Sequence, residues 1–338
     1  MPIISYAQRF EDLYLARCFP DQTTGFYIDL GAGHPVHDNV SFAFYLRSWR
    51  GITVEPNPAL AELTKAVRPR DDSRQALVGP AAGQATFYLV DEFHGFSTVI
   101  ESHAEGARRE FGKPSRALPL PMTTLAHLCE QGAPAAIDFL KVDVEGYEHE
   151  VLLGGDWQRF RPKVVLVEAL APFSLAPAWE AWEPLLFGNG YRYVFFDSLN
   201  RYYVAQEAGE LAAAFETAPK SFDDTILFGT LGQALDDRSH PDHHLAHILA
   251  SCDMARLPLL DHSALLEAAT AGLARSELDR PSTKAELDAC WRRLFGAAPL
   301  ARNEIRQKGG TVRDLYAQII KSDAFRTACG RISASYAW

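Results

Sequence analysis

Short, nearly continuous apolar runs alternate with amphipathic stretches through the first two-thirds of the chain. FYIDL (26–30), GITVE (51–55), QALVG (75–79), ATFYLV (85–90), DFLKVDV (138–144) and KVVLVEA (163–169) predict strands. YRYVFFD (191–197) and RYYVA (201–205) predict a later pair. The inner runs lack a polar face, as strands covered on both sides do. Their alternation with helical stretches predicts parallel βαβ units, hence an α/β fold with helices on both faces of a mostly parallel sheet. Residues 6–19 predict a helix, with Tyr6, Phe10, Leu13 and Leu15 partly on one face and Ser5 as its cap.

Near residue 232 the texture changes. DDRSHPDHHLAH (236–247) is polar and rich in histidine, and strand patterns cease after it. The expected organisation is a catalytic domain over 1–232, a linker over 233–245 and a small all-helical domain over 246–338. Thr283 and Glu286 form a capping-box pattern ahead of Leu287, Cys290, Trp291, Leu294 and Phe295, which share a helical face. Thr311 caps a second such helix carrying Val312, Leu315, Tyr316, Ile319 and Ile320.

Composition sharpens this picture. A length of 338 residues suits two domains. The five cysteines are scattered with no CxxC pair, which predicts reduced thiols in a cytosolic protein and argues against a cysteine-built zinc site. Net charge is −10, and it is uneven: residues 1–234 hold 19 basic and 30 acidic side chains. An acidic catalytic region opposes a polyphosphate backbone, so no nucleic-acid partner is expected. No run approaches 18 apolar residues, and no basic segment followed by an apolar one opens the sequence, so neither a transmembrane segment nor a secretion signal is expected.

Three motifs carry chemistry. In YIDLGAGHPVHDNVS (27–41), a strand ends in Asp29 and a turn follows through Gly31, Ala32 and Gly33, where small residues let a ligand approach the backbone. A dinucleotide fingerprint wants a third glycine at 36, where Val36 stands. A carboxylate two residues before the first glycine repels a pyrophosphate and suits the ammonium of a methionine moiety. In GITVEPNP (51–58), Glu55 can accept both ribose hydroxyls, with Pro56 and Asn57 walling the adenosine. In FLKVDVEGYE (139–148), Asp143 and Glu145 close the fourth strand, where open α/β sheets place ligands. Each motif has a plainer structural reading: a turn aspartate, a capping carboxylate, a salt-bridged cluster.

Together with SYAQRFED (5–12), VVLVEA (164–169), WEPLLFGNGYRYVFFDSLNRYYVA (182–205) and SFDD (221–224), these blocks resemble the FkbM family of methyltransferases over about residues 3–228. The resemblance implies a class I methyltransferase fold, Rossmann-like, with S-adenosyl-L-methionine as donor. It also implies oxygen methylation, here of a sugar hydroxyl in a bacterial surface glycan or its precursor. Asp29, Gly31, Ala32, Gly33, Glu55, Pro56 and Asn57 match the cofactor core. Tyr6 and Gln8 match the N-terminal block, which is expected to fold over the methionine end. Glycosyltransferases of the same pathway are the expected partners, and the expected location is cytoplasmic, at the periphery of a membrane glycan-assembly complex. WRRLFGAAPLARNEIRQKGGTVRDLYAQIIKSDAFR (291–326) resembles small helical repeats appended to bacterial surface proteins.

A sugar hydroxyl needs a base or a metal to remove its proton. Asp143 is the first candidate base and Glu168, ending the fifth strand, the second; Glu145 belongs to the same catalytic set. Asp143 and Glu168 could instead hold a divalent cation. His34 and His149 are reserve candidates. His240, His243, His244 and His247 read as a solvated linker rather than a metal site, and the aromatic series from Tyr191 to Tyr203 as core rather than a sugar platform. Competing readings are a non-catalytic S-adenosylmethionine-binding module that partners a glycosyltransferase, and an NAD-dependent oxidoreductase.

Overall fold

The computed structural model describes residues 3–90, 94–172, 174, 176–216, 224–296, 305 and 309–336. Of the SFDD block, residues 221–223 lie outside the described residues. The chain divides into two compact units. The first comprises Met1–His34, Asp38–Glu62 and Arg70–Ile226; the second comprises Pro35–His37, Leu63–Pro69 and Leu227–Trp338.

A seven-stranded sheet organises the first unit. Its strands are β1 (Phe26–Leu30), β2 (Arg50–Val54), β3 (Asp72–Arg74), β4 (Phe139–Val142), β5 (Val164–Glu168), β6 (Tyr191–Phe196) and β7 (Asn200–Ala205). Their spatial order is β6-β7-β5-β4-β1-β2-β3. β1 lies parallel to β2 and β4, β2 to β3, and β4 to β5, while β7 runs antiparallel to β5 and β6. The order therefore reverses at β1 and β4, and ligands of open α/β sheets bind outside the carboxyl ends of the strands at such a switch point. β1 and β4 are buried throughout, which is why they read as apolar runs. Phe139 on β4 stacks on Tyr27 and packs against Phe44 and Trp49, all four wholly buried.

Between β3 and β4 the chain builds a second, three-stranded sheet from Leu77–Val78, Gly83–Val90 and Ser115–Thr123, with the helix Glu101–Phe111 on the way. Ser115–Thr123 has no strand signature, because Pro119 and Pro121 argue against one. The two prolines share parity, so the residues of opposite parity can carry the ladder to Gly83–Val90. The QALVG run is also redistributed: β3 ends at Arg74, and only Leu77–Val78 is extended, in the smaller sheet.

The first helix is shorter than its pattern. It runs Glu11–Cys18, preceded by a strand at Ile3–Ser5. Phe10 takes a left-handed φ of 64°, which stops the helix from starting earlier. Ser5 does not cap it; its hydroxyl donates to Asp12 Oδ1 at 2.6 Å.

The second unit is helical. Leu249, Leu257, Trp291, Leu315, Ile319 and Phe325 are among its core residues. Thr283 accepts from the Glu286 amide at 3.1 Å, and Thr311 exchanges bonds with Asp314, as the capping patterns predict. The histidine-rich stretch is not a solvated linker. His240 is buried, the His243 and His247 rings meet edge to face at 4.5 Å, and a helix covers His243–Ile248.

Candidate active site

The site is built where β1, β2 and β4 end. Asp29 on β1 pairs in register with Lys141 on β4, so both side chains share one face of the sheet. Asp29 is wholly buried. Its Oδ2 accepts from the Ser41 hydroxyl at 2.5 Å. Its Oδ1 lies 3.6 Å from Lys141 Nζ and has no hydrogen bond of its own among the described residues. The Lys141 ammonium donates to the Gly31 carbonyl at 2.7 Å and stands 3.1 Å from Asp143 Oδ2. These neighbouring carboxylates hold Lys141 charged, raising its pKa despite burial.

After β1 the backbone turns sharply. Gly31 has φ +70°, and a Cβ there would sit 1.7 Å from the Asp143 carbonyl oxygen. Only glycine lets β1 and β4 end this close together. The Gly31 and Ala32 amides donate to the Val54 carbonyl, tying the turn to β2. Asn39 braces it from behind, with its Nδ2 donating to the carbonyls of Ala32 and His34.

Glu55 follows β2 and locks the same turn. Its Oε2 accepts from the Gly33 amide at 2.7 Å and its Oε1 from the Asn57 amide at 2.8 Å. Burial pushes its pKa up to about 7, with Asp29 adding to the rise and Lys141 opposing it. Pro56 and Asn57 follow it, past the end of β2, and both are half-buried.

Beyond β4, Glu145 adopts a left-handed φ of 56°, a strained conformation for glutamate. Its carbonyl is held by the Thr98 hydroxyl at 2.9 Å and lies 3.4 Å from His103 Nδ1. Glu148 accepts from the Val144 and Gly146 amides and fixes the loop from below. The strand ends and this loop bring Asp143, Glu145 and Glu168 together, with ligand oxygens within 4.8 Å of one another. Burial, then the charge of Asp143, holds Glu145 and Glu168 well above the usual carboxylate range.

The fold thus joins Asp29, Gly31, Ala32, Gly33, Glu55 and Asn57 at the turn, and Asp143, Glu145 and Glu168 beside it. Tyr6 reaches the turn through its carbonyl, which accepts from the Asn39 amide at 2.8 Å. Gln8 is exposed, and no hydrogen bond ties it to the turn among the described residues. His34 is buried; His149 is 3.6 Å from its neighbour Glu150. Sequence reasoning singled out neither Asn39 and Ser41, nor Glu148, nor Thr98 and His103. The first two stand within the block 27–41 as polar residues in an otherwise buried stretch. Thr98 and His103 carry no signal, because they meet Glu145 across 47 and 42 residues of chain. The aromatic series is core only in part: Tyr191, Tyr202 and Tyr203 are buried and Phe195 and Phe196 half-buried, while Tyr193 is exposed, with the Arg201 guanidinium 4.0 Å from its ring centre.

Residues 29–193 match the family model of the methyltransferase FkbM domain. Over these residues the chain is similar to FkbM methyltransferases. The match begins at Asp29, runs through the turn, Glu55 and the acidic cluster, and ends within β6. Methyltransferases of this kind generally use S-adenosylmethionine. No curated protein and no solved structure matches the chain. Among the described residues, no helix is long and apolar enough to cross a membrane.

Proposed function

We propose that this FkbM-like domain is an S-adenosylmethionine-dependent O-methyltransferase acting on a sugar hydroxyl of a glycan or glycan precursor. The observation that carries the cofactor reading is the charge around the glycine turn. Asp29, Glu55, Asp143, Glu145 and Glu168 surround it, and among the described residues Lys141 is the cation they share. Such a floor suits a cationic, phosphate-free nucleoside. It opposes a pyrophosphate, which binds at the helix N-terminus that directly follows a dinucleotide glycine loop. Here the next helix begins at Phe42, well after Gly33, and spans five residues.

Within this reading the side chains divide the work. Glu55 keeps acceptor capacity for the ribose hydroxyls while its two backbone bonds hold it in place. Asp29 acts from beneath the turn, through Ser41 and Lys141, and its Oδ1 adds negative potential for an ammonium. Tyr6 and Gln8 belong to the segment proposed to cover the methionine end. S-adenosylmethionine supplies an electrophilic methyl carbon on a sulfonium. Bound there, it would pass that methyl group to the acceptor oxygen with loss of the sulfonium, and Asp143 would take the hydroxyl proton. Alignment provides much of the rate for such a displacement. A second reading, favoured by the three converging carboxylates, gives Asp143, Glu145 and Glu168 a divalent cation that acidifies the hydroxyl.

Ligand-dependent melting tests the cofactor assignment. S-adenosylhomocysteine at 100 times its Kd is expected to stabilise the protein by about 2.7 kcal/mol, and NAD to leave it unchanged. Stabilisation by NAD alone overturns the reading in favour of an oxidoreductase. Binding of S-adenosylhomocysteine without methyl transfer to any glycan acceptor favours the non-catalytic module, with a glycosyltransferase as its partner.

A further inference from the structure

We propose that Phe96 and Phe111 form a stacking platform for the sugar ring of the acceptor, a proposal that rests on the O-methyltransferase reading. The two rings are stacked, with centroids 5.0 Å apart and planes at 23°. Phe111 ends the helix Glu101–Phe111 and is 46% exposed, so its ring is open to solvent while stacked on Phe96.

What gives the pair a ligand is its attachment to the acidic cluster. Gly95, the residue before Phe96, is close enough to Glu145 that a Cβ there would lie 3.6 Å from Glu145 Oε1. Thr98, two residues after Phe96, donates to the Glu145 carbonyl at 2.9 Å. His103, on the same helix as Phe111, reaches that carbonyl and packs on Gly146. Both phenylalanines are thus borne by backbone fastened to the residue that contributes one of the three carboxylates. The fastening is rigid on its other side as well. Tyr88 and Thr98 exchange backbone bonds at 2.8 and 3.2 Å, and the Val90 amide donates to the Ser97 hydroxyl at 3.0 Å.

An aromatic pair carried on backbone that touches Glu145 suits a pyranose. The ring face of a sugar presents weakly positive C–H groups to the negative face of the aromatic ring, and its edge presents several hydroxyls. Three carboxyl groups, Asp143 and the more nearly neutral Glu145 and Glu168, can hydrogen-bond adjacent hydroxyls of one sugar. A phenolic acceptor stacks too but offers a single hydroxyl, leaving two carboxylates unused.

Saturation-transfer NMR on the full chain with S-adenosylhomocysteine bound tests this. The probes are methyl α-D-mannopyranoside, methyl β-D-galactopyranoside and methyl α-L-rhamnopyranoside, with phenol as comparison. At least one glycoside is expected to receive saturation at its ring C–H protons. In Phe111→Ala that signal should fall at least fivefold, and in Phe111→Trp it should persist. S-adenosylhomocysteine should shift the melting temperature equally in all three proteins, which also shows that the variants fold. An unchanged glycoside signal in Phe111→Ala overturns the platform, as does saturation of phenol alone or of no probe. Failure of wild type to bind S-adenosylhomocysteine instead overturns the methyltransferase reading beneath it.

Discussion

Asp143, Glu145 and Glu168 crowd into one small volume, yet they are not equivalent. Asp143 is the one in contact with a cation, 3.1 Å from Lys141, and its side chain is one-third exposed. Glu145 and Glu168 are held toward their neutral forms by burial and by the charge of Asp143. A carboxylate that is reachable and cation-backed is the natural proton acceptor of the three. Asp143→Asn is therefore expected to lower turnover by about 10²–10⁴-fold, with the Kd of S-adenosylhomocysteine within a few-fold of wild type. Single-turnover methylation and calorimetry measure the two quantities. Full turnover in the variant would move the role to Glu168, and loss of wild-type activity on chelation would assign the carboxylates to a metal. These residues were legible in sequence because strand ends in α/β folds are marked by an abrupt change from apolar to acidic. Asn39, Thr98 and His103 were not, because their importance lies in which distant carbonyl each one meets.

At the scale of elements, the site depends on how closely β1 and β4 approach where they end. Asp29 and Gly31 span the end of β1, and Asp143 leaves β4 directly beneath Gly31. A methyl group on Gly31 meets backbone, which cannot rotate away as a side chain can. Gly31→Ala is expected to lower the melting temperature by several degrees and to abolish S-adenosylhomocysteine binding, since the left-handed conformation alone costs about 1–2 kcal/mol before the clash. Gly83→Ala is the control: its Cβ would meet nothing within 4 Å, so melting and binding should match wild type. Equal behaviour of the two variants would show that the turn is not held as described. The same contrast shows what the pattern of residues could convey. FYIDL and VVLVE mark β1 and β5 almost residue for residue, because strands buried on both faces are apolar along most of their length, with Asp29 and Glu168 the exceptions. Ser115–Thr123 stayed hidden, since its short alternation of Leu118, Leu120 and Met122 is interleaved with two prolines, which argue against a strand.

At the scale of the molecule, buried acids give the protein an unusual dependence on pH. Glu11 is buried beside Asp197 and Asp12, with Tyr14 on its own helix. It accepts from the Arg9 amide and from Asn200 Nδ2, and burial followed by the charge of Asp197 pushes its pKa up to about 8. Asp12 is pushed up to about 6 by burial, against the bonds from Ser5 and Tyr6. Glu55, facing Asp29 and Lys141, stands at about 7. Each folded value lies above the ordinary value of 4.5 for glutamate or 3.8 for aspartate. Between those limits the folded chain holds protons that the unfolded chain has released, so stability falls as pH rises. Their contribution is fully present below about pH 4 and is lost progressively up to about pH 8. A tenfold difference in proton affinity between the folded and unfolded chain is worth about 1.4 kcal/mol, so Glu11 alone contributes on the order of a few kcal/mol at the acidic end. The ligand-free protein is therefore expected to melt at a lower temperature at pH 8 than at pH 5, opposite to a protein whose carboxylates are ion-paired. Glu11→Gln removes the largest of the three titrations, so the slope of melting temperature against pH should flatten in that variant whatever its absolute stability. Calorimetry at constant ionic strength from pH 5 to 8 reads both slopes. Parallel slopes in the two proteins would show that Glu11 is ionised in the fold and that Asn200 holds a carboxylate rather than a neutral acid.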